Sequence, residues 1–404
     1  MLINFKEICI KAMRILINRI NSFYVISISI FIILTSYTQK PNSRCNLKSI
    51  LKADSISRVS ILSVGDAMAH MPQVKSAWCD STTDSFDFYP VFQYIAPLLK
   101  ATDLRIVNFE TTLAGKPYSG YPSFCAPDTF AYTLNKVGFN LFVNANNHAA
   151  DKSLNGIINT IDKLDSRSIA HTGTFKNAEE REKNYPLIVN IKGIKISVLN
   201  YSYSTNGIPV PKPGIVNIID TNIIKSDLAK ARESSPDAII ACMHWGIEDQ
   251  REPNFEQKEI ANFLLKNGVD VIIGSHPHVI QPIEVRETNF NGKVKKNLII
   301  WSLGNFIANQ RKPYANGGLM VKFDLVKNFA MHSTYVDNIL YMPFWVYKAE
   351  NPIKYYVLPI YQFENDSTTL KMTIEHKKDF EKFISDSRKH LSRDTANIKE
   401  FKGF

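Results

Sequence analysis

From residue 59 onward, short apolar runs alternate with longer segments of helical spacing. Runs such as VSILSVG at 59–65 and FNLFVNA at 139–145 predict buried strands, because a strand covered on both faces carries apolar side chains at consecutive positions. Segments with an apolar residue every three or four positions, such as 154–168, predict amphipathic helices. This alternation favours an α/β domain with a largely parallel or mixed sheet.

Two regions depart from the alternation. The segments 185–202, with Lys-Gly at its turn, and 282–303 predict hairpins whose antiparallel strands extend the sheet. Aromatic, alternating runs within 317–360 predict further strands. The other predicted strands are 59–65, 103–110, 139–145, 236–244 and 269–276, and the predicted helices are 87–101, 127–138, 154–168, 223–234, 254–268 and 375–395.

Residues 1–38 are typical of a signal peptide or membrane anchor. Basic residues precede the apolar run FYVISISIFIILTSY at 23–37, which is 15 residues long. A membrane span needs roughly 20, so a cleaved signal peptide and an uncleaved anchor both stay open. Either one predicts export, to the periplasm, the cell envelope or a membrane-anchored position outside the inner membrane.

The rest of the chain divides into three predicted parts. Residues 39–55 are polar and predict a linker. The main domain is predicted at 56–325, followed by a C-terminal extension of strands and a basic helix at 326–404.

Composition and charge narrow the class of protein and its partners. The chain is 45% hydrophobic and 21% charged, as in a globular protein with a sizeable core. The net charge is +10, but much of the excess lies at the two ends of the chain and predicts a solvated C-terminal helix rather than a nucleic-acid site. Cys79 and Cys125 fall in polar loops of an exported domain and could pair or remain two free thiols. The absence of a C-x-x-C motif argues against a structural zinc site.

Five predicted strands end in polar, metal-competent residues. In open α/β sheets, groups just past the carboxyl ends of strands converge on one crevice, so these clusters predict one shared site. Taken alone, Asp66 would fit a helix cap or turn and His244 a satisfied core histidine. Together, carboxylates, an Asn amide and several imidazoles favour one or two divalent ions such as Mn, Fe or Zn. The clusters contain Asp66, His70, Asn108, Glu110, Asn146, Asn147, His148, Asp151, His244, His276 and His278.

The order of these clusters resembles a known family. The blocks G-D-x-M, N-x-E, N-N-H-x-x-D, H-W-G, G-S-H-P-H-V-x-Q-P-x-E and S-L-G-N-F follow one another within residues 59–310. This order resembles the CapA family, which is linked to poly-γ-glutamate capsule synthesis and is similar to the calcineurin-like metallophosphoesterases. The resemblance implies a four-layer α/β/β/α sandwich of mixed sheets, with a dinuclear metal site at the strand ends.

The resemblance also implies a role for each matched residue. Glu110 stands where a carboxylate bridges two metals. His148 matches a residue that contacts the substrate and protonates the leaving group, with Asp151 beside it. The implied metal ligands are Asp66 and His278 for the first ion and Asn147, His244 and His276 for the second, and Asn108, Trp245 and Asn305 would orient these groups or line the site.

One position departs from the phosphoesterase pattern. Phosphoesterases carry D-x-H in the first block, whereas this chain has Met68 in place of the histidine, and a thioether is a poor ligand for hard metals. His70, two positions later, is an alternative ligand. Because Met68 leaves the first metal one ligand short, that metal would be loosely held, or the site would be mononuclear.

Two functions are compatible with this sequence. The first is a metal-dependent hydrolase in the synthesis of a capsule or envelope polymer, acting on an anionic polymer or a phosphoester. The second is a non-catalytic component that binds or assembles the polymer within a synthesis or export complex. An uncleaved N-terminal segment would contact the membrane, and nucleic acid is not an expected partner.

Overall fold

The computed structural model describes residues 56–80, 85–366, 368–392 and 398–402. The predicted targeting segment (1–38) and linker (39–55) lie outside the described residues. The strands are β1 Ile56–Ala67, β2 Trp78–Asp80, β3 Ser85–Phe86, β4 Leu104–Phe109, β5 Leu141–Val143, β6 Ala170–Thr172, β7 Thr174–Phe175, β8 Leu187–Ile191, β9 Ile194–Ser202, β10 Ile215–Val216, β11 Ala238–His244, β12 Val271–Ser275, β13 Ile283–Phe290, β14 Lys293–Ile300, β15 Asn305–Ile307, β16 Gly317–Asn328, β17 Ser333–Glu350, β18 Ile353–Pro359 and β19 Lys399–Glu400. The helices are α1 Met71–Ala77, α2 Tyr89–Phe92, α3 Ala96–Lys100, α4 Asp128–Val137, α5 Ser153–Asp165, α6 Ala178–Asn184, α7 Thr221–Glu233, α8 Phe255–Lys266, α9 Ile360–Phe363 and α10 Ile374–Leu391.

Two mixed sheets form the centre of the molecule. The first has the order β18-β17-β16-β1-β4-β5-β6, with β15 beside β1 and β19 beside β17, and the second has the order β13-β14-β12-β11-β9-β8. Strands β1, β4, β5 and β6 run parallel, as do β9, β11, β12 and β14. The carboxyl ends of the parallel strands therefore share one edge within each sheet. The predicted hairpins are present as β8–β9 and β13–β14.

The sheets pack face to face, and helices cover their outer faces. On β1, Ile61 belongs to the apolar cluster between the sheets, while its neighbour Leu62 belongs to the cluster under α2, α3 and α4. This alternation follows from the two-residue period of a strand. A third cluster joins the outer face of the second sheet to α7 and α8. The predicted four-layer α/β/β/α sandwich is confirmed.

The predicted helix over 87–101 is broken into two short helices, α2 and α3. Each carries a proline in its first turn, Pro90 in α2 and Pro97 in α3. A proline inside a continuous helix removes a hydrogen bond and clashes with the preceding turn. A new short helix therefore begins at each proline. The pattern also missed α6, although Asn177 and Glu180 have the spacing of a capping box and Asn177 does accept from the Glu180 N–H.

The division into 56–325 and 326–404 stays a prediction. The boundary falls inside β16, which runs to Asn328 and pairs with β1 over eight residue pairs. The described residues beyond position 55 form one compact unit.

Cys79 and Cys125 are free thiols, so the disulfide left open by the sequence is not formed. Cys79 is exposed, whereas Cys125 is buried with its Sγ atom 3.1 Å from the Gly115 carbonyl oxygen. Among the described helices, none is long and apolar enough to span a membrane.

Candidate metal centre

The carboxyl ends of strands from both sheets bring the predicted ligands into one buried cluster. Asp66 lies near the end of β1, Glu110 directly follows β4, and His244 is the last residue of β11. His276 and His278 follow β12, and Asn147 and His148 follow β5. None of these residues is more than 4% exposed. The structure thus places together the carboxylates, imidazoles and amide that the sequence predicted to share a site.

Glycines allow the backbone to bring these strand ends close together. A Cβ atom at Gly65 would lie 1.9 Å from the Gly304 carbonyl oxygen, and one at Gly274 would lie 2.0 Å from the Trp301 carbonyl oxygen. Such contacts are impossible for any other residue, which explains the glycine before Asp66 and the one before Ser275.

His276 and His278 lie on a strained turn. Their φ angles are +99° and +60°, in the region that non-glycine residues rarely adopt. Residues in such conformations persist where surrounding contacts hold them and often occur at functional sites. Here the His276 N–H points at both carboxylate oxygens of Asp66, at 3.3 and 3.4 Å.

Asp66 and Glu110 are linked through the amide of Asn108. Asn108 Nδ2 donates to Asp66 Oδ1 at 2.7 Å and to Glu110 Oε2 at 3.3 Å, and it lies 3.2 Å from His244 Nδ1. Asp66 Oδ2 also accepts from His278 Nδ1 at 3.0 Å. Asn108 therefore fixes the spacing of the two carboxylates.

On the other side of Glu110, His244 and Asn147 face each other. His244 Nε2 lies 2.8 Å from Asn147 Oδ1 and 3.7 Å from Glu110 Oε1. The His276 ring centroid is 4.8 Å from that of His244 and 5.9 Å from that of His278. Three imidazoles thus line the same small volume.

Burial and neighbouring charges set the protonation of this cluster. Burial, followed by the negative charge of Asp66, raises the pKa of Glu110 well above its usual value. Burial lowers the pKa of His244 well below its usual value, and burial with the neighbouring His278 lowers the pKa of His276 to about 3. Burial opposes the protonation of His278, but its hydrogen bond with Asp66 and the charge of that carboxylate raise its pKa.

His148 and Asp151 form a hydrogen-bonded pair beside the cluster. His148 Nδ1 lies 2.7 Å from Asp151 Oδ2, which also accepts from the Phe124 N–H at 2.6 Å. The Phe124 ring packs edge-on against the imidazole with centroids 4.6 Å apart. Asp151 therefore holds the Nδ1 proton and fixes the ring, which leaves Nε2 available to another group.

Met68 occupies an apolar pocket. Its side chain is 1% exposed and packs with Phe124 and Ala308. His70, the alternative ligand, instead precedes α1, and its Nδ1 accepts from the Asn309 N–H at 3.3 Å. Burial lowers the pKa of His70 to about 4.

The remaining two predicted residues are placed differently from each other. Asn305 lies beside Asp66 in the β1–β15 pairing, and its Nδ2 donates to Gln310 Oε1 and the Ala315 carbonyl oxygen. Trp245 is not brought to the cluster: its indole stacks on Trp301 in the core under α7 and α8, with Nε1 donating to the Trp301 carbonyl oxygen.

Two residues that the sequence did not single out complete the surroundings of Asn147. Asn206 Oδ1 accepts from Asn147 Nδ2 at 3.2 Å and from the Tyr203 hydroxyl at 3.1 Å. The Tyr203 ring packs on His276 at 4.4 Å between centroids. Because Nδ2 of Asn147 is held by Asn206, its Oδ1 is directed towards His244.

The donor set fits one or more divalent metal ions. Among the described residues, two groups of three each bring their ligand atoms within 4.8 Å of one another: Glu110 with His276 and His278, and Glu110 with Asp66 and His244. Glu110 Oε1 and His276 Nδ1 are buried without hydrogen-bond partners, although buried polar atoms are normally paired. Carboxylate oxygens and neutral imidazoles are ligands for Mn, Fe and Zn, and a cation would satisfy both atoms.

Comparison with known proteins identifies the family. The family model described as "Bacterial capsule synthesis protein PGA_cap" matches residues 60–310, and the chain belongs to this family. The predicted membership of the CapA family is thereby confirmed.

Two curated relatives support this assignment. The chain is 28% identical over 272 residues to "PGA biosynthesis protein CapA" of Bacillus subtilis (strain 168), covering 66% of this chain and 67% of the relative. It is 25% identical over 250 residues to "Capsule biosynthesis protein CapA" of Bacillus anthracis, covering 59% of this chain and 58% of the relative. The match thus spans well under the full length of either relative.

Several solved structures have a low overall similarity to this chain. They include the NAD nucleotidase NadN of Haemophilus influenzae (TM-score 0.47, 12% identity, 86% of this chain and 65% of the other). Another is the calcineurin-like phosphoesterase YfkN of Bacillus subtilis (TM-score 0.39, 13% identity, 84% of this chain and 100% of the other).

Proposed function

We propose that this protein is a metal-dependent hydrolase that acts outside the inner membrane in the synthesis of a capsule-type envelope polymer. Its substrate would be an anionic polymer of the poly-γ-glutamate type or a phosphoester. The observation that carries the proposal is the buried cluster in which Glu110 Oε1 and His276 Nδ1 have no hydrogen-bond partner. Such atoms are expected where a cation completes the site.

The cluster would hold divalent metal through Glu110 together with Asp66, Asn147 and the three imidazoles of His244, His276 and His278. When bound, divalent metal at such a site supplies Lewis-acid activation of water and neutralises charge developing on a phosphoryl or acyl oxygen. Asn108 and Asn206 orient the ligands, through the contacts to the carboxylates and to Asn147 described above. The ligand side chains are thus held in position before a metal ion binds.

His148 is the proposed proton donor to the leaving group. Asp151 lies 2.7 Å from its Nδ1 and fixes the orientation of the ring, so Nε2 is the nitrogen that would deliver a proton. The burial of both side chains keeps this pair from exchanging partners with solvent.

Met68 supports a second candidate, a polymer-binding or assembly component of a synthesis and export complex. Where a phosphoesterase carries a metal-ligating histidine, this chain buries a thioether against Phe124 and Ala308. A site short of one ligand could keep a metal and a bound anionic chain without hydrolysing it.

A substrate screen on the metal-loaded protein distinguishes the two functions. The screen would include phosphomonoesters, phosphodiesters and γ-glutamyl peptides, with the His148→Ala variant beside the wild type. For the hydrolase we expect His148→Ala to keep its metal and lose about 100-fold or more in turnover. The exposed His332→Ala variant should match the wild type.

One outcome would contradict the role of His148, and another would contradict the hydrolase itself. Normal turnover by His148→Ala would refute the role of His148. Metal binding with no hydrolysis of any substrate class, but with retention of polyglutamate on a binding column, would favour the polymer-binding function.

A further inference from the structure

The end of the sandwich remote from the metal ligands exposes apolar side chains on two hairpin tips. Val294, beside the β13–β14 turn, and Met331, in the β16–β17 turn, are each 72% exposed. Phe329 and Tyr335, which flank Met331, are also exposed. Turns normally carry Gly, Asn, Asp or Ser, and these side chains support no core. We call this surface, formed by Ile56, Val294, Phe329, Met331 and Tyr335, the distal end.

The members of the distal end lie next to one another. Ile56, exposed at the start of β1, pairs with Asn328 at the base of the β16–β17 turn. Val294 and Tyr335 line the same cavity of about 160 Å³ between the two hairpins. The two tips and the first described residue therefore form one surface.

Lysines flank the apolar side chain of the β13–β14 tip. The sequence Lys293-Val294-Lys295-Lys296 begins β14, and Lys293 and Lys296 are exposed. Lys295 is paired with Asp270 at 2.7 Å, and Lys296 lies opposite Glu287 in the hairpin. Exposed apolar side chains beside exposed lysines are typical of proteins that rest on a bilayer containing anionic lipid.

The chain that precedes Ile56 indicates what meets this surface. Residues 1–55 include the apolar run at 23–37, which is typical of a targeting or anchoring segment, and they join the domain at the distal end through Ile56. We propose that the distal end docks on the surface of a bilayer containing anionic lipid. The tips would supply an interfacial contact in addition to that segment.

This docking would direct the metal ligands away from the lipid. Strand β1 runs from Ile56 at the distal end to Asp66 in the cluster. At about 3.3 Å per residue, the cluster would lie roughly 33 Å from the bilayer surface. A substrate would then be met in the space beyond the membrane rather than at the lipid surface. This inference does not depend on the proposed hydrolysis.

Tryptophan reporters in the full chain test the docking. Met331→Trp, Val294→Trp and the control Phe255→Trp would each be reconstituted in nanodiscs that hold one chain. Phe255 is 77% exposed and begins α8, which follows the strand carrying His244. The discs would contain phosphatidylcholine alone or mixed with phosphatidylglycerol, with and without brominated acyl chains.

In discs with phosphatidylglycerol, we expect bromine to quench the added emission of the two tip reporters by about half, since interfacial side chains reach the acyl boundary. The Phe255→Trp reporter should be unaffected. Lys293→Glu combined with Lys296→Glu should reduce quenching of the Met331→Trp reporter, whereas Lys258→Glu, an exposed charge reversal on α8, should not.

Three results would overturn the proposal. Unquenched tip reporters would show that the distal end is not on the bilayer. Equal quenching of all three reporters would show that the domain has no fixed orientation. A spectral change at the tips that occurs only in concentrated detergent solution, and not in single-chain discs, would show that a second copy covers this surface.

Discussion

The two sides of the buried cluster differ in how far protein groups already satisfy the ligand atoms. On the Asp66 side (Asp66, Met68 and His278), Asp66 is contacted by Asn108, by the His276 N–H and by His278, and Met68 packs in an apolar pocket. On the Asn147 side (Asn147, His244 and His276), His276 Nδ1 has no partner, and burial lowers the pKa of both imidazoles.

This difference has a consequence for metal binding. His276 Nδ1 has a lone pair without a partner, whereas a carboxylate engaged by three donors must give up contacts before it can bind a metal ion. Glu110 belongs to both groups of candidate ligand atoms, and each group also takes one ligand from either side. We therefore expect one ion to bind tightly on the Asn147 side and a second to bind weakly on the Asp66 side.

Replacing Glu110 should have the largest effect, because both sides depend on it. We expect Glu110→Gln to weaken metal binding by more than about 100-fold. This loss exceeds the 10- to 100-fold that is typical when a residue hydrogen-bonded to a metal ligand is removed. Elemental mass spectrometry of the purified chain would measure it, with circular dichroism to check folding. The exposed Glu287→Gln, in the β13–β14 hairpin, serves as the control. A variant that keeps full metal content would remove Glu110 from the site.

Restoring the phosphoesterase ligand at Met68 should abolish the difference between the sides. We expect Met68→His to raise the affinity for the second ion by about 10-fold or more, since it adds an imidazole beside Asp66. Calorimetric titration with Mn or Zn would measure both affinities. Met68→Leu, which keeps an apolar side chain against Phe124, should bind as the wild type does. An unchanged second affinity in Met68→His would mean that the pocket keeps the new ring away from Asp66.

Replacing the Asn206 side chain should weaken metal binding only on the Asn147 side. Its φ is +52°, so Asn206→Gly deletes the side chain without backbone strain. We expect a loss of about 10- to 100-fold in affinity for the first ion, because Asn147 loses the acceptor that orients its amide. Asn206→Asp retains an acceptor and should lose less. Equal losses in both variants would argue against orientation through this hydrogen bond.

Trp245 should affect stability and leave the metal unchanged. Trp245→Phe removes the donor to the buried Trp301 carbonyl oxygen, and we expect a loss of about 1–3 kcal/mol in the free energy of unfolding. Urea denaturation would measure it, and metal content should stay at the wild-type value. A drop in metal content at unchanged stability would instead place Trp245 in the site.

Residues at strand ends were predictable from the sequence because strand geometry dictates where they lie. Polar residues that follow a buried strand lie at the edge of the sheet where that strand ends. This rule correctly predicted the positions of Asp66, Glu110, His244 and His276. The rule was wrong for Trp245, because the side chains of successive residues in extended backbone point in opposite directions. With His244 turned into the cluster, its neighbour packs under the outer helices.

Asn206 and Tyr203 were beyond prediction for a different reason. They lie after β9 in a loop without periodic pattern, and only the folded chain brings them to Asn147. The break between α2 and α3 was missed because helical spacing outweighed Pro97, although proline alone predicts a helix boundary.

The metal content of the full chain decides whether the buried cluster is a metal centre. The protein would be purified without chelator, dialysed against limiting Mn, Zn or Fe, and measured by elemental mass spectrometry beside His276→Ala. We predict close to one ion per wild-type chain, a second ion only at higher metal concentration, and loss of the first ion in His276→Ala. No bound metal after reconstitution with any of the three would contradict the account and make the cluster a buried polar pocket.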